Sequence, residues 1–199
     1  SSPSLKGQTL AVADVDGNGT KDIVIGTAIS LTSYVEVLSG AGNGTFSAKP
    51  ASSMSGTATP SLSTFVVLDL DGNGTLDLVY QRAPFQPLYS QLGNGNGTFA
   101  AATAASTSST ALDVLRRADL DQDGLLDVIG VTYGSGICWE RGQTAGALGT
   151  SSCSSLPTAG NAFDVADFDG DGHVDVTAGW WSSAAAKGLV VWYGDGTGA

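Results

Sequence analysis

Apolar residues in this chain come in short runs, each broken by a polar loop before it reaches helical length. Runs at 9–15, 63–70, 111–120 and 162–168 are each followed, after such a loop, by a second run at 23–26, 78–80, 128–131 and 174–178. They are rich in Val, Ile and Leu, and no 3.6-residue periodicity appears anywhere. Each pair reads as two strands of a hairpin joined by the polar loop between them. A third strand is expected at 34–38, 88–92, 137–141 and 189–193. A glycine-rich turn follows: Gly42-Asn43-Gly44-Thr45-Phe46, Gly95-Asn96-Gly97-Thr98-Phe99 and Gly194-Asp195-Gly196-Thr197, with Gly142-Gln143-Thr144-Ala145-Gly146 in the third copy. Weakly marked fourth strands are expected at about 46–56, 99–106 and 147–156.

Four antiparallel strands in about 50 residues, repeated, describe the blades of an all-β propeller. One blade cannot bury both faces of its sheet alone, so neighbours must stack around an axis. The repeats fall at about 5–56, 57–106, 107–157 and 158–199, a single propeller unit over 1–199. The last repeat stops at Ala199, before its fourth strand. The expectation is a segment of a larger propeller, or a half completed by another chain, with a closed four-bladed ring as the alternative.

The hairpin loops carry the chemistry. The first reads Asp14-Val15-Asp16-Gly17-Asn18-Gly19-Thr20-Lys21-Asp22, and the second Asp69-Leu70-Asp71-Gly72-Asn73-Gly74-Thr75-Leu76-Asp77. The third is Asp119-Leu120-Asp121-Gln122-Asp123-Gly124-Leu125-Leu126-Asp127, and the fourth Asp167-Phe168-Asp169-Gly170-Asp171-Gly172-His173-Val174-Asp175. Their first aspartates are 55, 50 and 48 residues apart. Oxygen donors stand at positions one, three, five and nine. Carboxylates this dense repel one another unless a cation sits among them. A hard cation with six to eight oxygen ligands at roughly 2.3–2.6 Å suits them, which points to Ca²⁺, about one ion per loop. Position seven (Thr20, Thr75, Leu125, His173) varies, as expected where only a backbone carbonyl is used. Loops three and four carry an extra carboxylate and are expected to bind more tightly. An EF-hand is excluded: position twelve is Ile25, Tyr80, Gly130 or Ala178 instead of Glu, and the flanks read as strands.

Charge follows from these loops. The formal net charge is −11, and 14 of the 19 acidic residues lie in them. Only eight Lys and Arg are present, scattered, which excludes a nucleic-acid partner. No apolar run is long enough to span a membrane as a helix. Modest calcium sites fill at extracellular calcium levels, so a secreted or cell-surface location is expected. Cys138 and Cys153 are spaced for neighbouring strands, and a disulfide between them is expected, with two buried thiols as the alternative. Asn18, Asn43, Asn73 and Asn96 each begin an N-G-T sequon. The first and third are expected to serve the metal, leaving Asn43 and Asn96 as the candidate glycan acceptors if the source is eukaryotic.

The repeated DVDGNGTKD, DLDGNGTLD, DLDQDGLLD and DFDGDGHVD, with GNGTF following twice, resemble the FG-GAP or VCBS repeats of integrin α-subunit propellers and fungal propeller lectins. The resemblance covers essentially the whole chain. It implies a non-catalytic extracellular calcium-binding propeller for adhesion, protein–protein interaction or structural assembly. The alternatives are a carbohydrate-binding lectin and an accessory domain of a polysaccharide-active enzyme.

A protein or glycan ligand is expected on the face opposite the metal loops, where second-to-third-strand connections offer Arg82, Phe85, Tyr133, Trp180 and Trp181. Trp139 and Trp192 are expected to pack between blades. The single histidine, His173, has no catalytic partners in the pattern and is expected to expose its ring. Glu140 and Arg141 read as a surface pair. No enzyme activity is expected.

Overall fold

The computed structural model describes residues 7–29, 32–54, 64–81, 85–108, 110–132, 136–155, 162–183 and 186–198. Four antiparallel sheets follow one another along the chain. Blade 1 holds β1 (Gly7–Ala13), β2 (Asp22–Ile29) and β3 (Thr32–Gly40) in sequence order. Its fourth strand is split into β4 (Phe46–Ala48) and β5 (Ser52–Met54), both paired with β3. Blade 2 is β6 (Thr64–Leu68), β7 (Asp77–Gln81), β8 (Tyr89–Gln91) and β9 (Thr103–Ala104).

Blade 3 is β10 (Leu112–Ala118), β11 (Asp127–Thr132), β12 (Gly136–Glu140) and β15 (Ser152–Ser155). A small hairpin, β13 (Gly142–Gln143) with β14 (Ala147–Leu148) around a 3₁₀ turn at Thr144–Gly146, interrupts it where the Gly-Asn-Gly turn is lost. Blade 4 has three strands among the described residues: β16 (Ala162–Ala166), β17 (Asp175–Ser183) and β18 (Ala186–Trp192).

The three regular strands fall where the apolar runs place them, extended or trimmed by a few residues. The fourth strands are shorter than expected. Their Ala, Ser and Thr side chains have little to bury, and β4 is exposed throughout.

First strands of successive blades lie side by side, β1 against β6, β6 against β10 and β10 against β16. A hydrogen bond from the Leu115 amide to Thr64 Oγ1, 3.2 Å, ties two of them. This order puts the first strands innermost, as propeller blades require.

The core lies between blades. Val15, Val24 and Val35 of blade 1 pack on Phe65, Val67 and Phe99 of blade 2. Leu68, Leu70 and Val79 of blade 2 meet Leu112, Leu115 and Val128 of blade 3, and Leu120, Ile129 and Ile137 meet Phe163 of blade 4. Second strands sit between two neighbours. Every residue of β7 is therefore buried, and its sequence reads as a continuous run instead of alternating. Each such Leu, Ile or Phe contributes about 1.5–3 kcal/mol of burial, so the blades stabilise one another more than themselves.

Candidate metal and ligand sites

Every Asp loop is the connection between first and second strand, and its ninth residue opens the second strand. That aspartate is fully buried in all four blades. Its two oxygens are both used. Asp22 Oδ2 accepts the Val15 amide and Oδ1 the Gly40 amide, each at 2.8 Å. Asp77 does the same with Leu70 and Gly93, Asp127 with Leu120 and Gly142, and Asp175 with Phe168 and Gly194. The carboxylate pins its own loop to the end of the third strand.

The glycine it reaches is obligatory. A Cβ at Gly40 would stand 2.2 Å from the Lys21 carbonyl oxygen. Gly93, Gly142 and Gly194 would meet Leu76, Leu126 and Val174 in the same way. Sequence reasoning did not single these glycines out for this role. The available signal was a glycine 15–19 residues after each ninth-position Asp.

Positions one, three and nine converge. Asp14, Asp16 and Asp22 bring one oxygen each within 4.8 Å of one another, as do Asp69, Asp71 and Asp77; Asp119, Asp121 and Asp127; and Asp167, Asp169 and Asp175. Backbone amides hold them there. Asp14 accepts the amides of Asn18 and Gly19 at 3.2 and 2.8 Å, and Asp69 those of Asn73 and Gly74 at 3.0 and 2.8 Å. The loop is tight enough to need left-handed backbone at position four. Gly17 takes it at φ 70°, and Gln122 takes it at φ 58° while its side-chain amide reaches the Gly172 carbonyl at 3.0 Å.

Position five lies outside these three-carboxylate groups. Its oxygen turns to the amide of position seven instead: Asn18 to Thr20 and Asn73 to Thr75 at 2.7 Å, Asp123 to Leu125 and Asp171 to His173 at 2.8 Å. All four clusters therefore hold three carboxylates, and the extra acid of loops three and four is not part of them. The His173 ring is half-buried, with Nδ1 shielded beside Gly196, where an exposed ring was expected.

The clusters differ in their electrostatics. Burial pushes Asp127 up to about 6 against the pull of its two amides, with Asp121 and Asp119 adding to the rise. Asp77 is raised chiefly by burial as well. Asp175 is lowered by the Phe168 and Gly194 amides. Asp16 is held low by the Ser39 hydroxyl, 2.6 Å away, with help from the Lys49 ammonium at 3.2 Å. Asp121 has a corresponding cation in Arg141, at 3.4 Å.

Both of these cations sit where the next blade docks. The Gly97 amide of blade 2 donates to the Val15 carbonyl in the first loop at 3.2 Å, over the Lys49 side chain. Arg141 donates to the carbonyls of Thr197 and Gly198 in blade 4 at 2.7 and 3.1 Å, and Trp139 Nε1 to Gly198 at 3.0 Å. The Asp loop of one blade is thus part of the seat for the glycine-rich turn of the next.

Between blades 3 and 4 lies a cleft of about 160 Å³, lined among others by Trp139, Trp192, Tyr193, Ile137, Leu120 and Asp195. Gly198 stands where blade 2 has Gly97: each lies four residues after the glycine whose amide reaches the buried ninth-position Asp, and each sits over the third-position Asp of the preceding blade. Trp139 and Trp192 pack against the blade 3–blade 4 core, as expected. The cleft they line was not anticipated. It opens beside the metal loops, not on the opposite face.

Of the expected ligand residues, Phe85 is exposed with φ 62°. Trp180 and Trp181 lie on β17 with side chains outside the described residues, and Arg82 and Tyr133 fall outside them entirely. Cys138 and Cys153 are directly opposed on β12 and β15 and form the disulfide. Asn43 and Asn96 are exposed in their turns. Glu140 corrects the surface reading: it is buried beside Ser106 and Ser108 from the blade 2–blade 3 connection, and burial raises its pKa to about 7.

The FG-GAP-like repeat profile matches residues 14–80 and 119–178, which include all four Asp loops. The chain belongs to the FG-GAP-like repeat family. No curated protein sequence is significantly similar to it. Among solved structures, this FG-GAP-like chain is similar to an Agrocybe aegerita lectin described in terms of specific recognition of non-reducing terminal N-acetylglucosamine. The TM-score is 0.63 at 19% sequence identity, over 95% of this chain and 53% of the lectin chain. That likeness shows the propeller fold. The chain spans about half the length of this neighbour.

Proposed function

We propose that this chain is a non-catalytic, calcium-stabilised propeller module of secreted or cell-surface type that binds glycans in the cleft between blades 3 and 4. The cleft carries the reading. Trp139, Trp192 and Tyr193 give it the apolar faces that stack on sugar rings, and Asp195 beside them offers acceptors for hydroxyls. The fungal neighbour's recognition of terminal N-acetylglucosamine supports that sugar as the first ligand to test.

Calcium fits the loops chemically. Three converging carboxylates form an all-oxygen set suited to a hard cation, and positions five and seven would add oxygens once the position-five side chain turns from the amide it now accepts. Asp14, Asp16, Asn18, Thr20 and Asp22 would hold it in loop one, and the corresponding residues in the others, with position seven using its backbone carbonyl. The ion would neutralise the mutual repulsion of the carboxylates. The repeat family supports a binding role over catalysis. The cross-strand disulfide supports an oxidising, extracellular setting.

Isothermal titration with an N-acetylglucosamine-terminated oligosaccharide in calcium tests the glycan reading. Binding that is lost in Trp192→Ala, with unchanged circular dichroism, is the expected result. Absence of binding to this and to a broad glycan array would favour the protein-adhesion reading, in which the exposed Phe85 loop makes the contact.

A further inference from the structure

We infer that Lys49 and Arg141 are built-in counter-ions for loops 1 and 3, competing there with the divalent cation those loops are proposed to hold. This rests on the calcium reading of the loops and deepens it. The Lys49 ammonium lies 3.2 Å from Asp16 Oδ2, and the Arg141 guanidinium 3.4 Å from Asp121 Oδ2. Both aspartates stand at position three, inside their three-carboxylate clusters. Their side chains are only 7% and 13% exposed, so salt and solvent screen these pairs less than open surface pairs.

Each cation is held in place from outside its own loop. The Lys49 stem lies under the turn of blade 2: a Cβ on Gly97 would stand 3.2 Å from Lys49 Cγ and Cε, and 3.4 Å from Asp16 Cβ. The Gly97 amide itself donates to the Val15 carbonyl at 3.2 Å. Arg141 donates to the Thr197 and Gly198 carbonyls at 2.7 and 3.1 Å. Such tethers restrain long side chains whose freedom ordinarily makes a surface ion pair ineffective.

Loop 2 supplies the contrast within the same chain. Ala102 follows Phe99 by three residues, as Lys49 follows Phe46, and Leu92 precedes Gly93 as Arg141 precedes Gly142. Neither can bring a charge to Asp71, and among the described residues Asp71 has no ion pair. Loops 1 and 2 both converge three carboxylates and both carry Asn at position five. They differ in charge by Lys49, and by Lys21 in place of Leu76 at position eight. Lys21 is exposed and makes no ion pair among the described residues.

Each cation acts oppositely in the two states of its loop. Without a divalent ion it offsets part of the carboxylate repulsion and steadies the loop. Against a divalent ion it is a like charge on the far side of a shared carboxylate. A unit charge roughly 6 Å from a divalent ion lowers affinity about tenfold even at the dielectric constant of water. Loops 1 and 3 are therefore ordered at low calcium and fill later than they would without Lys49 and Arg141.

The test is calcium titration of the metal-free 199-residue chain against a chromophoric chelator, with melting in excess chelator and in calcium. Lys49→Met keeps the stem that Gly97 covers and removes the charge. Lys49→Arg keeps the charge, and Lys21→Met removes a charge of the same loop that does not face Asp16. The wild type is expected to bind four ions, one for each cluster. Lys49→Met should tighten one of the four sites about tenfold. It should also melt below the wild type in chelator and gain more melting temperature from calcium than the wild type does. Arg141→Met should tighten one site in the same way, whereas Lys49→Arg and Lys21→Met should bind as the wild type does. Unchanged or weakened affinity in Lys49→Met, or equal tightening in Lys21→Met, overturns the counter-ion role and leaves the calcium reading standing. A wild type that binds no calcium overturns both.

Discussion

The Asp22 carboxylate and the Gly40 amide lie 2.8 Å apart, joining the base of a metal loop to the end of the third strand. The same pair recurs in every blade, and in each the carboxylate is buried. The ninth position therefore has work to do before any ion arrives. Asp22→Ala strands two buried amides, those of Val15 and Gly40, and should cost about 3 kcal/mol. Denaturant unfolding should show that loss in chelator as well as in calcium. Asp71→Asn keeps an acceptor for the Asn73 amide and removes a charge, so it should lose stability in calcium buffer and lose none in chelator, where it relieves repulsion. Equal, calcium-dependent losses in both variants would contradict this division of roles.

Gly40→Ala should destabilise by about 3 kcal/mol, because its methyl would meet the Lys21 carbonyl oxygen and the strand end must move away from Asp22. A change under roughly 0.5 kcal/mol in urea unfolding, the range of ordinary surface substitutions, would show that the close approach is relaxed in solution.

These two residues mark what was legible in the sequence. The aspartates announced themselves because charge at fixed spacing has few purposes, and four copies gave the blade count. The glycines partnering them went unassigned because their constraint comes from a carbonyl 16–20 residues away in sequence, with no positive φ behind it. Glu140 was misread for the same reason. Beside the exposed Arg141 it looked like a surface residue, and Ser106 and Ser108 that enclose it come from the preceding blade connection. The cleft between blades 3 and 4 was not legible because its lining gathers residues as far apart in sequence as Leu120 and Gly198.

Glu140 also sets a pH dependence. Its pKa rises from an ordinary 4.5 to about 7 on folding, chiefly through burial. The folded state then holds a proton that the unfolded state has lost, so stability falls as pH rises from about 4.5 to about 7. Glu140→Gln should be more stable than wild type at pH 8 by up to about 3 kcal/mol. The gain should vanish near pH 4. A pH-independent difference in melting temperature would contradict the assignment.

Reduction should weaken blade 3 specifically. The Cys138–Cys153 bond closes a loop of 15 residues, worth about 3 kcal/mol in chain entropy. Melting in reductant, or of Cys138→Ala/Cys153→Ala, should drop accordingly. An unchanged melting temperature would mean that the β12–β15 pairing holds without the bond.

We propose that a divalent ion held by the converging carboxylates of each loop braces the propeller. Calorimetric titration of metal-free protein with Ca²⁺, followed by melting at each calcium level, tests it most directly. The account predicts four ions per chain, one for each carboxylate cluster, and a melting temperature that climbs with calcium concentration as ligand binding to the folded state requires. No binding at millimolar Ca²⁺, together with the same melting temperature in calcium and in chelator, would contradict it.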